Sequence, residues 1–191
     1  MGVWQNVLDT FKEIVQTAFI SLGIFFFIYV LLVQPHRIKG DSMFPNYHDG
    51  ELLLTEKVSY RIYKPERGDV IVFRASDRNV DLIKRIVGLP GDTAKIEDGI
   101  VFINDQKLEE PYETQKTQGF ETVTLGPDEY FVLGDNRGSS SDSRSFGPIK
   151  KNVIKGKVWL VYWPVTKSTQ SNGFRMISGV DYSIPDAFYD R

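Results

Sequence analysis

Ser42 lies in the segment Gly40-Asp41-Ser42-Met43-Phe44-Pro45, bounded by glycine and proline. A serine hydroxyl becomes a nucleophile when a nearby base accepts its proton. Serine on such a loop is equally a plain turn former, and its type alone leaves both readings open. Two apolar residues directly after it are unusual for a solvated loop. They fit a site that works at a membrane surface, with Met43 and Phe44 near the lipid headgroups.

A base is available in Leu82-Ile83-Lys84-Arg85-Ile86-Val87-Gly88-Leu89-Pro90-Gly91-Asp92. Strand alternation puts Leu82, Lys84 and Ile86 on one face and Ile83, Arg85 and Val87 on the other. Each face carries one cation between two aliphatics, so one cation must lie on an apolar face. Lys84 can snorkel its amine to water. The alternative is a desolvated amine, whose pKa falls from about 10.4 because burial penalises the ammonium. That fall costs about 1.36 kcal/mol for each pH unit, and makes sense only where a neutral amine is used. Such an amine can take a proton from a serine. Arginine cannot, since its pKa stays above about 12. Of the two cations, only Lys84 can be the base.

The third segment runs from Gly134 to Gly147, GDNRGSSSDSRSFG. Its composition is that of a solvated linker. A linker of this length inside a compact β domain is unusual. Asp135, Arg137, Asp142 and Arg144 could pair to hold the loop rigid, and its hydroxyls could orient an amine without charging it.

These segments need elements to hold them. Ile14–Val33 is twenty uncharged residues, the length that spans a bilayer as a helix. Its acidic approach (Asp9, Glu13) and the lack of a small-x-small site at its end argue against a cleaved signal peptide. Upstream, residues 1–13 form an amphipathic stretch. Trp4, Val7, Leu8 and Phe11 recur at helical spacing opposite Asp9, Lys12 and Glu13. Beyond residue 40 the signals are those of strands: Glu51–Val58, Asp69–Arg74, Asp81–Val87, Asp92–Glu97, Ile100–Asn104, Glu129–Leu133 and Lys157–Val165. Asp98-Gly99 is a two-residue hairpin signal. The expected fold is mainly β, an antiparallel domain over residues 34–165 behind one N-terminal transmembrane helix. No long amphipathic helix is expected after residue 40, and residues 166–191 are assigned no role.

Composition removes several function classes. A chain that is 41% apolar and 25% charged is not disordered. A net charge of −2 provides no basic field for nucleic acid. Without cysteine there is no disulfide, cysteine nucleophile or thiolate metal site. His36 and His48 are the only histidines, a poor basis for a zinc site.

Taken in order, the apolar span, GDSMFP, IKRIVGLPGD and GDNRGSSSDSRSFG resemble the type I signal peptidases in their short, single-span, Gram-positive-like form. The resemblance covers residues 14–164. It implies a β-rich catalytic domain on the extracytoplasmic membrane surface, a Ser/Lys dyad, and no cofactor or metal. It implies cleavage of preproteins after small residues at −1 and −3. Its implied partners are preprotein signal peptides, the lipid bilayer and the secretion translocon, with no nucleic acid. Ser42 matches the nucleophile and Lys84 the general base. Ser140 matches the serine whose hydroxyl bonds the lysine amine, and Asp142 and Arg144 a salt-bridged pair shaping the site. Asp135 and Arg85 match supporting positions, and Met43 a residue packed beside the dyad.

Gly40 departs from the Gram-negative pattern, in which a serine there supplies a second oxyanion donor. A substitute is expected, such as a backbone N–H near Gly40. The charge count around the span weakly favours a cytoplasmic domain, whereas the resemblance implies the opposite side. Two rival readings remain: a self-cleaving repressor-type protease, which would want a DNA-binding domain and an Ala-Gly or Cys-Gly site, and a catalytically silent membrane-tethered binding module.

Overall fold

The computed structural model describes residues 2–75, 79–112, 115–119, 122–168 and 170–177. The chain divides into two compact units, Met1–Gln34 and Pro35–Arg191.

The first unit is built on one helix, α1 (Gly2–Leu32). At 1.5 Å per residue it is about 46 Å long. The amphipathic stretch and the apolar run, read separately from sequence, are continuous here. Nothing between them breaks a helix, and Pro35 stands just beyond the end, where it cannot continue one. Within α1, Trp4–Phe27 is long and apolar enough to cross a membrane. Val33, the last residue of the expected span, opens a strand instead.

The second unit is mostly antiparallel sheet. Its elements are β1 (Val33–Arg37, which begins in the first unit), β2 (Leu52–Glu56), α2 (Ser59–Ile62), β3 (Val70–Ala75), β4 (Val80–Gly88), β5 (Thr93–Glu97), β6 (Ile100–Ile103), β7 (Gln106–Lys107), β8 (Val123–Thr124), β9 (Glu129–Leu133), α3 (Ser143–Phe146), β10 (Ile149–Lys150), β11 (Ile154–Trp163) and β12 (Arg175–Met176). The large sheet has the order β1-β2-β11-β3-β4-β9-β10, with β12 added on β11. A smaller sheet has the order β7-β6-β5-β8.

β3 explains the continuous apolar run Val70–Phe73, because the strand is buried on both faces. Val70 and Val72 join Ile38, Met43, Tyr47, Leu53, Val158 and Val161 in one core. Ile71 and Phe73 join Ile86, Tyr130, Val132 and Ile149 in another. A third core, with Val87, Phe131 and Leu133 from the large sheet, packs against Ala94, Val101 and Ile103 of the small one. The nine-residue strand β4 contributes to all three cores, and so sits where buried side chains meet from every side.

Each of the seven expected strands is present. Asp98 and Gly99 both have positive φ, as a tight hairpin turn requires. Asn104-Asp105 repeats that geometry and turns β6 into β7. The short strands β7, β8, β10 and β12 carry too few residues to show an alternation. After residue 40 the described helices are single turns. Residues 170–177, in the segment to which the sequence assigned no role, return to the sheet through β12. Residues 178–191 lie outside the described residues.

Candidate active site

Ser42 and Lys84 meet. Lys84 Nζ is hydrogen-bonded to Ser42 Oγ at 2.8 Å across 42 residues of sequence. A second hydrogen bond runs from Nζ to the Ile83 carbonyl, also 2.8 Å. Lys84 is 2% exposed and its neighbour Arg85 5%. The dilemma of two adjacent cations on a strand is thus resolved by burying both. Burial pushes the Lys84 amine down to about 8, although Asp142 and Asp135 act to raise it. Desolvation outweighs the two carboxylates because each of them is engaged by an arginine of its own.

Arg85 holds Asp135 in a bidentate pair, Nε to Oδ1 at 2.8 Å and Nη2 to Oδ2 at 2.6 Å. Its remaining nitrogen donates to the Gly68 carbonyl, and its plane lies over the Tyr112 ring. Asp142 caps α3 and accepts from Arg144 Nε and Nη2, both at 2.8 Å. It also accepts from the Gly134 N–H at 3.0 Å. Burial pushes the Asp142 carboxyl up, but the Arg144 guanidinium and the Gly134 N–H hold it below its usual value. Arg137 donates through Nε to the Gly134 carbonyl within the loop at 3.0 Å and pairs with Glu110 outside it.

The turn carrying Ser42 is tied down by a residue the sequence did not single out. The Asn136 N–H donates to the Ser42 carbonyl, and its side-chain amide donates to the Asp41 carbonyl, both at 3.0 Å. Asn46 was also unforeseen, and its amide reaches Asp135 Oδ2 and the Tyr112 carbonyl. Asn136 lies inside the GDNR run, a signal that was available. Asn46 has no such mark. Gly134 is required by close approach, since a Cβ there would fall 2.2 Å from Ser140 Oγ and 2.5 Å from the Ser42 carbonyl oxygen.

Three expectations need correction. Met43 does not face outward beside Phe44; it is 1% exposed within the core, while Phe44 is 46% exposed. Met43 thus anchors the turn from below. Ser140 Oγ makes no hydrogen bond of normal geometry, to Lys84 or otherwise, and the place expected for it on the amine is taken by the Ile83 carbonyl. The Gly40 N–H is not free for an oxyanion either. It donates to Asp49 Oδ1 at 2.7 Å. Gly40 has φ +82, a conformation in which a serine would be strained.

Ser42 and Lys84 line a groove of about 490 Å³ whose lining also includes Ile38, Leu53, Val72 and Ile83. Two strand edges border it. β1 is terminal in the sheet, and residues 80–84 of β4 pair only with β3, because pairing with β9 begins at Arg85. His36 bonds Thr55 and His48 packs edge-on against Phe44.

The chain is similar to known proteins. A signal peptidase I of Bacillus caldolyticus is 38% identical over 161 residues, covering 76% of this chain and 88% of that protein. One from Bacillus licheniformis is 34% identical over 171 residues, covering 83% and 92%. Signal peptidase IB of Staphylococcus aureus (strain COL) is 35% identical over 167 residues, covering 78% and 87%. Among solved structures, a signal peptidase I from Enterococcus faecalis V583 matches at 36% identity and a TM-score of 0.46, over 50% of this chain and 97% of its own. The family model described as signal peptidase, peptidase S26, matches residues 11–163. This chain belongs to that family and is a serine peptidase.

Proposed function

We propose that this protein is a membrane-anchored endopeptidase that removes signal peptides from exported preproteins, with Ser42 as nucleophile and neutral Lys84 as general base. The observation that carries the reading is the 2.8 Å contact between a buried amine held near 8 and a serine hydroxyl.

In the neutral dyad the Ser42 hydroxyl donates to Lys84 Nζ, while an amine N–H donates to the Ile83 carbonyl. That second bond aims the nitrogen lone pair at Ser42. With a pKa of about 8, roughly a tenth of the amine is neutral at pH 7. The proton passes to Nζ as Oγ attacks the scissile carbonyl, and the ammonium then protonates the leaving amine. The acyl group remains on Ser42 until water, activated by the same amine, releases it. The Ser42 N–H serves as one oxyanion donor.

The substrate lies extended in the groove and adds its backbone to the open edges of β1 and β4. Small residues at −1 and −3 suit a groove narrowed by Ile38, Leu53 and Ile83. The α1 helix anchors the enzyme in the bilayer, and the catalytic domain works on the extracytoplasmic side, where cleavage sites emerge from the secretion translocon.

The test is cleavage of a model preprotein in detergent by wild type and Ser42→Ala, with N-terminal sequencing of the product. A cut after small-x-small that vanishes in Ser42→Ala supports the reading. A cut that persists removes Ser42 as nucleophile. Protection of the domain from external protease in intact cells would overturn its placement outside.

A further inference from the structure

The C-terminal segment 171–177 meets the loop that follows Ser42. Asn172 Nδ2 donates to the Pro45 carbonyl at 2.8 Å and to the Asn46 carbonyl at 3.3 Å. Arg175 Nη2 donates to the same Asn46 carbonyl at 2.7 Å. Arg175 also clamps Glu51, with Nη1 to Oε1 at 3.0 Å and Nη2 to Oε2 at 2.8 Å. The Glu51 side chain is fully buried in this pair. Glu51 takes a further bond from Ser171 Oγ at 2.6 Å, across 120 residues, and its other oxygen accepts from the His48 N–H. Both ends of the loop 45–51 are therefore held by side chains from the end of the chain.

These contacts reach the dyad from two directions. Pro45 lies three residues after Ser42. Asn46, held through its carbonyl by Asn172 and Arg175, uses its side chain to bond Asp135, the partner of Arg85. Arg85 is adjacent to Lys84 in β4. A buried carboxylate that needs an arginine, a serine and two backbone N–H groups is costly to maintain unless its geometry is used. An apolar residue would fill the same space.

We infer that Arg175, Asn172 and Glu51 form a strap that positions the Ser42 turn against Lys84, making them positioning residues of the peptidase. The inference rests on Ser42 and Lys84 being the dyad. The strap touches neither reacting atom; it acts by holding the backbone from residue 45 to residue 51.

The test uses the full chain in detergent and the variants Arg175→Ala, Arg175→Lys and Asn172→Ala. Arg67→Ala serves as the control, because it breaks a buried pair with Asp92 near the small sheet. Two readouts are taken: kcat and KM on a model preprotein, and backbone hydrogen exchange by mass spectrometry. The strap predicts that Arg175→Ala lowers kcat at least tenfold with KM nearly unchanged. Amides of residues 43–51 should exchange at least tenfold faster, with those of β5 and β6 unaltered. Arg175→Lys should recover part of kcat, and Arg67→Ala should leave kcat near wild type. Asn172→Ala, which removes no charge, keeps the test open if Arg175→Ala fails to fold; it should lower kcat several-fold. Unchanged exchange over 43–51 overturns the inference. So does faster exchange with unchanged kcat, or an Arg67→Ala loss equal to that of Arg175→Ala. A wild type that cuts no preprotein counts against the proposed function instead, and the exchange readout still decides whether the strap holds the loop.

Discussion

The Asn136 N–H donates to the Ser42 carbonyl at 3.0 Å, joining the turn that carries Ser42 to the loop that follows β9. The Asn136 side chain repeats the link one residue earlier, at Asp41. Asn136→Ala keeps the first bond and removes the second. One such bond is worth about 0.5–1.5 kcal/mol, so kcat should fall about two- to twelvefold with the fold intact. Steady-state kinetics and thermal melting check this; wild-type kcat would show that the turn is held without it.

With Lys84 as the proposed base, activity should rise with pH to a plateau, with a midpoint near 8, because only the neutral amine could take the serine proton. Lys84→Arg should be as inactive as Lys84→Ala, since the guanidinium stays charged. A kcat/KM profile flat from pH 5 to 9, or appreciable activity in Lys84→Arg, removes lysine as the base.

Burying Lys84 carries a stability cost with a definite sign. The unfolded chain holds the proton up to 10.5 and the folded chain only to about 8. Stability therefore rises between those values and is lower beneath them by roughly 3 kcal/mol. Lys84→Met should stabilise the domain at pH 7 by an amount of that order, and the gain should vanish above about pH 10.5. Denaturant titrations at pH 7 and at high pH test it. A loss of stability at pH 7 would mean that the amine contributes more through its hydrogen bonds than it costs.

Asp135→Ala should be severely destabilising. It strands the Arg85 guanidinium in a nearly closed site and removes one of the two acceptors of the Asn46 amide. Breaking a buried pair from one side costs about 3–5 kcal/mol. Chemical denaturation of the full chain gives the number, and a loss below about 1 kcal/mol would show that water reaches Arg85.

Gly134→Ala should reduce activity at least tenfold. Its Cβ has no room between Ser140 Oγ and the Ser42 carbonyl oxygen, so the Ser42 turn must move. Wild-type kinetics in this variant would show that the turn has slack.

Much of this protein is determined locally and was legible in its residues. The strands around Val70–Phe73, Leu82–Val87 and Tyr130–Leu133 follow from apolar patterning, and the Asp98-Gly99 hairpin from turn chemistry that involves only adjacent residues. Type alone left Ser42 a possible turn former and Lys84 a possible snorkelling cation, and it was the resemblance carried by the motifs around them that singled them out. What the sequence could not contain is the identity of each partner. Periodicity says that a face is apolar but not which element covers it. Hence Met43 lies in the core, the Lys84 amine takes the carbonyl of its own neighbour Ile83 in place of Ser140, and the Gly40 N–H is taken by Asp49. The pairing of Glu51 with Arg175, 124 residues away, was likewise invisible. A buried charge must find its counter-charge wherever the fold closes around it, and that closure is decided only when the sheets pack.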